Sequence, residues 1–226
     1  ETGRPVTAQT PFRIGSITKS FTALAIMQLV EAGKIELHAP VRRYLPWFRV
    51  ADEAASAKIT VRHLLNQTSG LSTLAGNAYW DKQEGLEATV RSLRAVELSQ
   101  PVGAGFQYSN INYSIAGLIV EAASGQPYAD YIAQHIFAPL AMRHSFTATA
   151  PSLTAGLAMG HLYSMGRMVA DIGVEPPAYL PAGFVSASVE DMSHYVVAQL
   201  NGGRYSNASV LSAQGIAQLH HPAVPV

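Results

Sequence analysis

The amino-acid sequence predicts a globular protein that is rich in helices and poor in strands. Hydrophobic residues make up 48% of the 226 residues and charged residues only 13%, which is the composition of a chain that buries a core. Two long apolar segments, residues 16–33 and 111–124, have a helical pattern, and a glycine closes each one. Convincing strand patterns are scarce. The length allows one large domain or two small ones.

The first half of the chain contains three predicted helices. Residues 16–33 are apolar on most sides, which indicates burial, and Gly33 stands near the C′ position. Thr60 is placed to cap a short helix over residues 61–67. A third, amphipathic stretch covers residues 86–96. Connectors that are rich in proline or polar residues separate these helices.

The second half is predicted to contain four helices and one long loop. The helices cover residues 111–124, 127–137, 189–200 and a short segment after Ser212. Gly125 closes the first of them, and Pro127 suits the first position of the next. Ser188 and Asp191 have the spacing of a capping box. Residues 145–185 contain four prolines and are predicted to be a loop.

Composition and charge exclude several classes of function. The formal net charge is zero and no basic stripe appears, so nucleic-acid binding is not expected. The absence of cysteine excludes disulfides, thiolate zinc sites and a cysteine nucleophile. The eight histidines have no paired ligand spacing, and His220 and His221 are predicted to be solvated, so no metal site is expected. No apolar run approaches the ~18 residues of a membrane span, and neither the compartment nor the oligomeric state can be read from the sequence.

A serine and a lysine at the start of the first helix form the first candidate site. Ser16 and Lys19 are spaced i, i+3 and share a helix face. Lys19 is the only charged residue between Arg13 and Glu31, so burial would lower its pKa and let it accept a proton. A neutral lysine beside a serine can activate that serine as a nucleophile. The competing interpretation is that Ser16 is an ordinary helix cap.

A second signal is the triplet Tyr108, Ser109 and Asn110, which precedes a helix. A tyrosine in a loop is commonly a partly buried packing residue, and an asparagine there is commonly a cap. Combined with the serine and lysine, the triplet instead supplies a phenolic acid or base and an amide that can bind a substrate carbonyl.

Four stretches, in this order, resemble the serine β-lactamase and penicillin-binding protein superfamily. The resemblance is to the branch of class C β-lactamases, D-alanyl-D-alanine carboxypeptidases and related esterases, and it covers nearly the whole chain. The stretches are FRIGSITKSFTALAIMQLVEAGKIEL, LLNQTSGL, FQYSNINYSIAGLIVEAASGQPYADYIAQHIFAPLAM and PAGFVSASVEDMSHY.

The resemblance implies an α+β, β-lactamase/transpeptidase-like fold, in which helices sandwich an antiparallel sheet and a helical domain lies beside it. This chain is expected to cover mainly the helical part, with few strands. Residues 1–35 would form the nucleophile helix and the edge of the α/β domain. Residues 36–226 would form the mostly helical domain and the loops that border the cleft.

The resemblance also implies roles for four residues. Ser16 would be the acylated nucleophile and Lys19 its partner, Tyr108 a general acid or base, and Asn110 a ligand of Lys19 and of the substrate amide. The general base stays open between Lys19 and Tyr108. The implied substrates are a β-lactam, a D-amino-acid peptide or an ester, and no metal or organic cofactor is implied. The alternatives are a penicillin-binding sensor and a non-catalytic relative that binds without turnover.

The sequence departs from the family pattern in three places. Gly103 and Ala104 replace a Pro-Gly pair, and Ala141 replaces a glycine, both in loops. More importantly, no third motif (Lys or His, then Ser, Thr or Gly, then Gly) follows Asn110. We therefore expect that the family's N-terminal strands and third-motif strand lie outside these 226 residues, and that these residues alone are not a competent enzyme.

A few residues receive weaker predictions. Leu71 and Ser72 are expected at the rim of the cleft, and His161 either borders the site or lies on the surface. Trp47 and Trp80 are expected to be packing residues. The loop acids are expected to be solvated; they are Asp52, Glu53, Asp81 and Glu84. The family is compatible with a periplasmic or secreted location as well as with a cytoplasmic one.

Overall fold

The computed structural model describes residues 3–78, 83–147, 149–171 and 175–223, so Trp80 and Asp81 lie outside the described residues. The helices of the first half are α1 (Thr18–Glu31), α2 (Glu53–Lys58), α3 (Val61–Leu65), α4 (Thr73–Asn77), α5 (Leu86–Ser92) and α6 (Asn110–Ser124). Those of the second half are α7 (Tyr128–Ile132), α8 (Thr149–Thr154), α9 (Leu180–Gly183), α10 (Val189–Leu200) and α11 (Ala213–His220). A π-helical turn, Ala133–Phe137, extends α7.

Short antiparallel pairs make up the strands of the described residues. The strands are β1 (Phe12–Arg13), β2 (Gly160–Ser164), β3 (Arg167–Asp171), β4 (Ser186–Ala187), β5 (Arg204–Tyr205) and β6 (Ala208–Ser209). They pair as β1 with β4, β2 with β3 and β5 with β6. The predicted excess of helix over strand is confirmed. Among the described residues, no helix is long and apolar enough to cross a membrane.

Helices α1 and α6 form the centre of the core and pack against each other and against α9. Phe21, Leu24 and Ile26 of α1 are fully buried, as are Ile115 and Ile119 of α6. Each such side chain contributes about 1.5–3 kcal/mol through removal of apolar surface from water. The apolar character of both segments therefore reflects burial, as predicted.

A close approach between α6 and α9 fixes the position of α9. A Cβ atom at Gly117 would lie 2.3 Å from Cγ and 2.6 Å from Cβ of Pro181. Only glycine fits such a contact without displacing the proline ring. The contact matters for the site because Ala182, the next residue, contacts Lys19.

We expect Gly117→Ala to destabilise the protein by about 1–3 kcal/mol, the cost of overpacking a closed core. The sign is diagnostic, because the same change in an open helix stabilises by about 0.8–1 kcal/mol. Gly105→Ala is the control, since its Cβ would meet nothing closer than Gln100 Oε1 at 3.8 Å. Thermal unfolding of both variants checks this prediction, and a Gly117→Ala variant as stable as the parent would contradict the packing argument.

Strand pairing places the start of α1. Phe12 pairs with Ala187 and Arg13 with Ser186, and Ile14 N–H donates to Val185 O at 3.1 Å. The chain then enters a 3-10 turn over Gly15–Ile17, with Gly15 at a φ of 53°. A positive φ suits glycine, which has no Cβ to clash. The serine that follows is thereby held at the mouth of α1.

Most of the predicted helix ends are confirmed. The Thr60 hydroxyl accepts from His63 N–H, the Ser212 hydroxyl accepts from Gly215 N–H, and Gly125 ends α6 at a φ of 76°. Two details were wrong. Pro127 is the N-cap of α7 rather than its first residue. The side chain of Asp191 binds His144 N–H and the Ser145 hydroxyl instead of closing a capping box.

The prediction of a loop over residues 145–185 was wrong. This region contains α8, α9 and the β2–β3 hairpin. The hairpin turn is Met165-Gly166, with φ values of 47° and 78°. Two positive φ values are typical of type I′ turns, for which Asn-Gly is the usual sequence signal. Here methionine takes the place of asparagine, so the sequence does not show that signal. The described side chains of both strands are exposed, so neither strand has a buried face. The alternation of apolar and polar residues that indicates a strand is therefore missing as well.

Candidate active site

Ser16 lies in the 3-10 turn that leads directly into α1, and its side chain is exposed. The interpretation of Ser16 as a helix cap was wrong, because neither the turn nor α1 has a side-chain cap. Its Oγ lies 2.6 Å from the hydroxyl oxygen of Tyr108. The hydroxyl therefore points away from the helix backbone and toward another segment of the chain.

Lys19 lies one turn further along α1, on the same face as Ser16, and is only 7% exposed. Its Nζ donates to three oxygens: Ser16 Oγ at 3.1 Å, Asn110 Oδ1 at 2.8 Å and Ala182 O at 2.7 Å. Three acceptors satisfy the three protons of an ammonium group. No carboxylate is among these partners, so no opposite charge stabilises the protonated form through them.

Burial is the main influence on the charge of Lys19. Loss of hydration lowers the pKa of Lys19 below its ordinary value of 10.5, and the hydrogen bond and charge of Tyr108 oppose that shift. The Nζ also lies 4.7 Å from the ring centroid of Tyr108 and 5.6 Å from that of Tyr113. The lysine thus loses its proton more readily than a solvated lysine does.

The three partners of Lys19 determine what its neutral form can do. Ala182 O can only accept a hydrogen bond. Asn110 also presents its oxygen, because its Nδ2 donates to Asn77 Oδ1 at 3.2 Å. A neutral amine has two protons and one lone pair, so donation to these two oxygens leaves the lone pair for the Ser16 hydroxyl. The arrangement is therefore suited to take a proton from Ser16.

Helix α1 also holds the backbone that carries this carbonyl acceptor. The Thr22 hydroxyl donates to Pro181 O at 2.7 Å and lies 2.7 Å from the hydroxyl of Tyr128. Lys19 and Thr22, one helical turn apart, thus bind two consecutive carbonyl groups of α9. The acceptor of the lysine is consequently fixed by side chains that are fully buried.

The triplet of Tyr108, Ser109 and Asn110 enters the site at the start of α6. The interpretation of Asn110 as a cap was wrong, because Ser109 occupies the N-cap position and Asn110 faces Lys19. The Ser109 hydroxyl donates to Ser72 O at 2.8 Å, and the Thr73 hydroxyl donates to Tyr108 O. Residues at the start of α4 therefore hold the triplet in place through hydrogen bonds.

The structure brings together all four side chains that the sequence singled out, which are Ser16, Lys19, Tyr108 and Asn110. Sequence reasoning missed Ala182 and Asn77. A backbone carbonyl has no sequence signature, although Ala182 lies in one of the matched stretches. Asn77 stands near the end of a short helix in a region that was predicted as a connector.

The weaker predictions have mixed outcomes. Leu71 is fully buried, so its prediction as a rim residue was wrong, whereas Ser72 is half-buried and caps α4. His161 lies on the exposed strand β2. Trp47 packs against the core and beneath the Arg91 guanidinium, 3.8 Å from the ring centroid. Within the described residues, no group of three or more His, Cys, Asp or Glu side chains could hold a metal ion.

Comparison with known sequences extends this picture. The family model for Beta-lactamase matches residues 1–224. Protein flp of Staphylococcus aureus strain MW2 is 31% identical over 198 residues, covering 85% of this chain and 39% of that protein. Penicillin-binding protein 4 of Amycolatopsis lactamdurans is 35% identical over 168 residues, covering 73% and 43%. The chain thus spans about two-fifths of the length of these curated relatives.

Solved structures agree on the fold. A penicillin-binding protein from Bacillus halodurans superposes with a TM-score of 0.80 at 25% identity, covering 99% of this chain and 69% of that one. The octameric penicillin-binding protein homologue from Pyrococcus abyssi gives 0.79 at 30%, covering 94% and 49%. D-amino acid amidase from Ochrobactrum anthropi SV3 gives 0.77 at 27%, covering 95% and 60%. The chain therefore belongs to the beta-lactamase family and has the α+β, β-lactamase/transpeptidase-like fold that its four sequence stretches predicted.

Proposed function

We propose that this protein is a serine hydrolase that forms an acyl-enzyme on Ser16. The family is a superfamily of serine hydrolases with amidases and penicillin-binding proteins among its members. One observation carries the proposal: the Ser16 hydroxyl lies between the Lys19 amine, at 3.1 Å, and the Tyr108 phenol, at 2.6 Å. Nucleophile and base within hydrogen-bond reach are the signature of covalent catalysis by serine.

The proposed mechanism begins with proton transfer from Ser16 to neutral Lys19. The freed Oγ attacks the substrate carbonyl, and the bond from the carbonyl carbon to the leaving group breaks. The leaving group takes the proton of the Tyr108 phenol, and the Lys19 ammonium returns a proton to that phenol. Water then attacks the acyl carbonyl carbon and gives one proton to the same pair of groups. The bond from that carbon to Ser16 Oγ breaks, the acid leaves, and the pair returns the proton to Oγ.

The developing negative charge on the carbonyl oxygen requires preorganised donors. We propose the backbone N–H of Ser16 as one of them, because Ser16 stands at the positive end of α1. The family resemblance implies that the second donor comes from a strand after the third motif. That contribution stays a prediction, as does the division of the chain into the segments 1–35 and 36–226.

The substrate is proposed to be a β-lactam, a D-amino-acid amide or peptide, or an ester. The test uses the protein with whatever flanking residues its gene encodes. It is incubated separately with a labelled penicillin, a p-nitrophenyl ester and a D-amino-acid amide, and adduct mass and product release are followed. One acyl group on the peptide that contains Ser16, followed by release, supports a hydrolase. A stable adduct without release supports the penicillin-binding sensor, and no adduct with any probe contradicts acylation.

Removal of the Tyr108 hydroxyl is expected to slow acylation by about 100- to 10,000-fold, the usual contribution of a positioned acid or base. Tyr108→Phe keeps the ring that faces Lys19 and removes only the oxygen that contacts Ser16. Tyr163→Phe, on an exposed strand, is the matched control and should acylate normally. The second-order rate of ester acylation, measured for both variants, checks the prediction. An unchanged rate in Tyr108→Phe would remove Tyr108 from the mechanism.

A further inference from the structure

We propose that Gln67 is a positioning residue that holds the Tyr108 phenol against Ser16. This inference rests on the proposed function. Gln67 belongs to LLNQTSGL, one of the four stretches that resemble the family, and the mechanism above assigns no role to any residue of that stretch. Gln67 lies two residues beyond the end of α3 and is 5% exposed. It touches neither Ser16 nor Lys19 through any described hydrogen bond, so its effect on them would pass through Tyr108.

Gln67 accepts hydrogen bonds from the backbone N–H groups of the two residues that flank Tyr108. The N–H of Gln107 donates to Gln67 O at 2.7 Å. The N–H of Ser109 donates to Gln67 Oε1 at 3.0 Å. The two bonds hold the backbone on either side of Tyr108, and the Thr73 hydroxyl binds the carbonyl of Tyr108 itself. Gln67 therefore restrains the backbone from which the phenol projects.

A buried polar network fixes the side chain of Gln67 in turn. Asn112 Nδ2 donates to Gln67 Oε1 at 2.7 Å, and the Ser69 hydroxyl donates to Asn112 Oδ1 at 2.6 Å. All three side chains are buried. The two donors on Oε1 determine the orientation of the Gln67 amide, because the flipped amide would set its own NH₂ against two other N–H groups.

Gln67 has two features that cost stability. Its φ is 60°, in the left-handed region that a residue with a long side chain rarely adopts. Its Nε2 is buried and has no hydrogen-bond partner among the residues that the structure describes. Unpaired buried donors are uncommon, and strained backbone clusters at functional sites. These costs accompany the hydrogen bonds by which Gln67 holds the position of Tyr108.

Three substitutions distinguish the effect of the hydrogen bond to Gln67 Oε1 from the effects of backbone strain and side-chain packing. Gln67→Met keeps the length of the side chain and removes its acceptor oxygen. Gln67→Asn suits the left-handed φ better, so it should fold, but its oxygen is one methylene too short to reach Ser109 N–H. We expect both to acylate about 100-fold more slowly, the cost of misplacing a reacting group by about 1 Å. Gln67→Glu keeps an acceptor oxygen in place and should restore most of the rate.

A double-mutant cycle tests whether the effect passes through Tyr108. In the Tyr108→Phe background, Gln67→Asn should slow ester acylation no further, because the group that it positions is gone. Thr60→Ala, which removes the cap of α3, is the control for general weakening of this segment: it should lower the melting temperature and leave the acylation rate unchanged.

Each outcome of the cycle has a definite meaning. If Gln67→Asn acylates at the parental rate, or if its loss is undiminished in the Tyr108→Phe background, the positioning role is overturned. If Tyr108→Phe alone is as fast as the parent, the proposed role of Tyr108 fails instead, and the two failures are thereby distinguished. If the Gln67 variants slow acylation only in proportion to their loss of folded protein, the role is overturned as well.

Discussion

Ser16→Ala is expected to abolish acyl-adduct formation and to lower turnover by about 10⁶-fold, as loss of the nucleophile does in other serine hydrolases. The reason is chemical: no other described hydroxyl contacts both Lys19 and Tyr108. The fold should be unaffected, because Ser16 is exposed and caps no helix. Intact-protein mass after incubation with a labelled penicillin, together with the rate of p-nitrophenyl ester hydrolysis, measures the effect.

Ser20→Ala is the matched control for this experiment. Ser20 lies four residues after Ser16, inside α1, and its hydroxyl donates to Ile17 O at 2.7 Å. The variant should acylate like the parent, which would show that alanine itself does no harm at the start of this helix. An adduct that persists in Ser16→Ala, wherever it is located, would mean that a different residue is the nucleophile.

The four residues of the site could be predicted from sequence because each belongs to a short motif with fixed spacing. Ser16 and Lys19 share a helix face, so their proximity follows from helix geometry alone. The approach of Tyr108 and Asn110, some ninety residues away, has no local signal. It could be anticipated only because the motifs occur together in one family.

Two parts of the site that sequence did not predict involve backbone groups. The carbonyl of Ala182 binds Lys19 where α9 packs closely on α6 at Gly117 and is held by Thr22. The backbone N–H groups of Gln107 and Ser109, on either side of Tyr108, bind Gln67, which adopts a positive φ. Both depend on tertiary packing rather than on the identity of the group that forms the bond.

The fold shows the same contrast. Segments with strong periodicity and a capping residue, such as α3 after Thr60 and α6 before Gly125, were predicted correctly. The β2–β3 hairpin was missed because its described side chains are exposed and its Met-Gly turn lacks the usual signal. Helices α8 and α9 were missed in the same proline-rich segment, residues 145–185, because they are only six and four residues long.

Lys19→Arg is expected to reduce the rate of acylation by at least ~10³-fold, although the variant keeps a positively charged side chain and should keep helix α1. A guanidinium group stays protonated in proteins, so it can donate to Asn110 and Ala182 but offers no lone pair to Ser16. Lys34→Arg, at an exposed position, is the control for the same exchange away from the site. Thermal unfolding of Lys19→Arg must show a folded protein before its rate of ester acylation is compared.

The pH profile of the parent gives an independent measure of the same step. If neutral Lys19 is the base, the acylation rate must rise with pH as the ammonium deprotonates and level off above its pKa. Burial lowers that pKa, so the midpoint of the rise must lie below 10.5, the ordinary value for lysine. Lys19→Arg should lose this rise together with the rate. A parental profile that falls with pH over this range, or a Lys19→Arg variant that acylates at the parental rate, would show that Lys19 does not take the proton of Ser16.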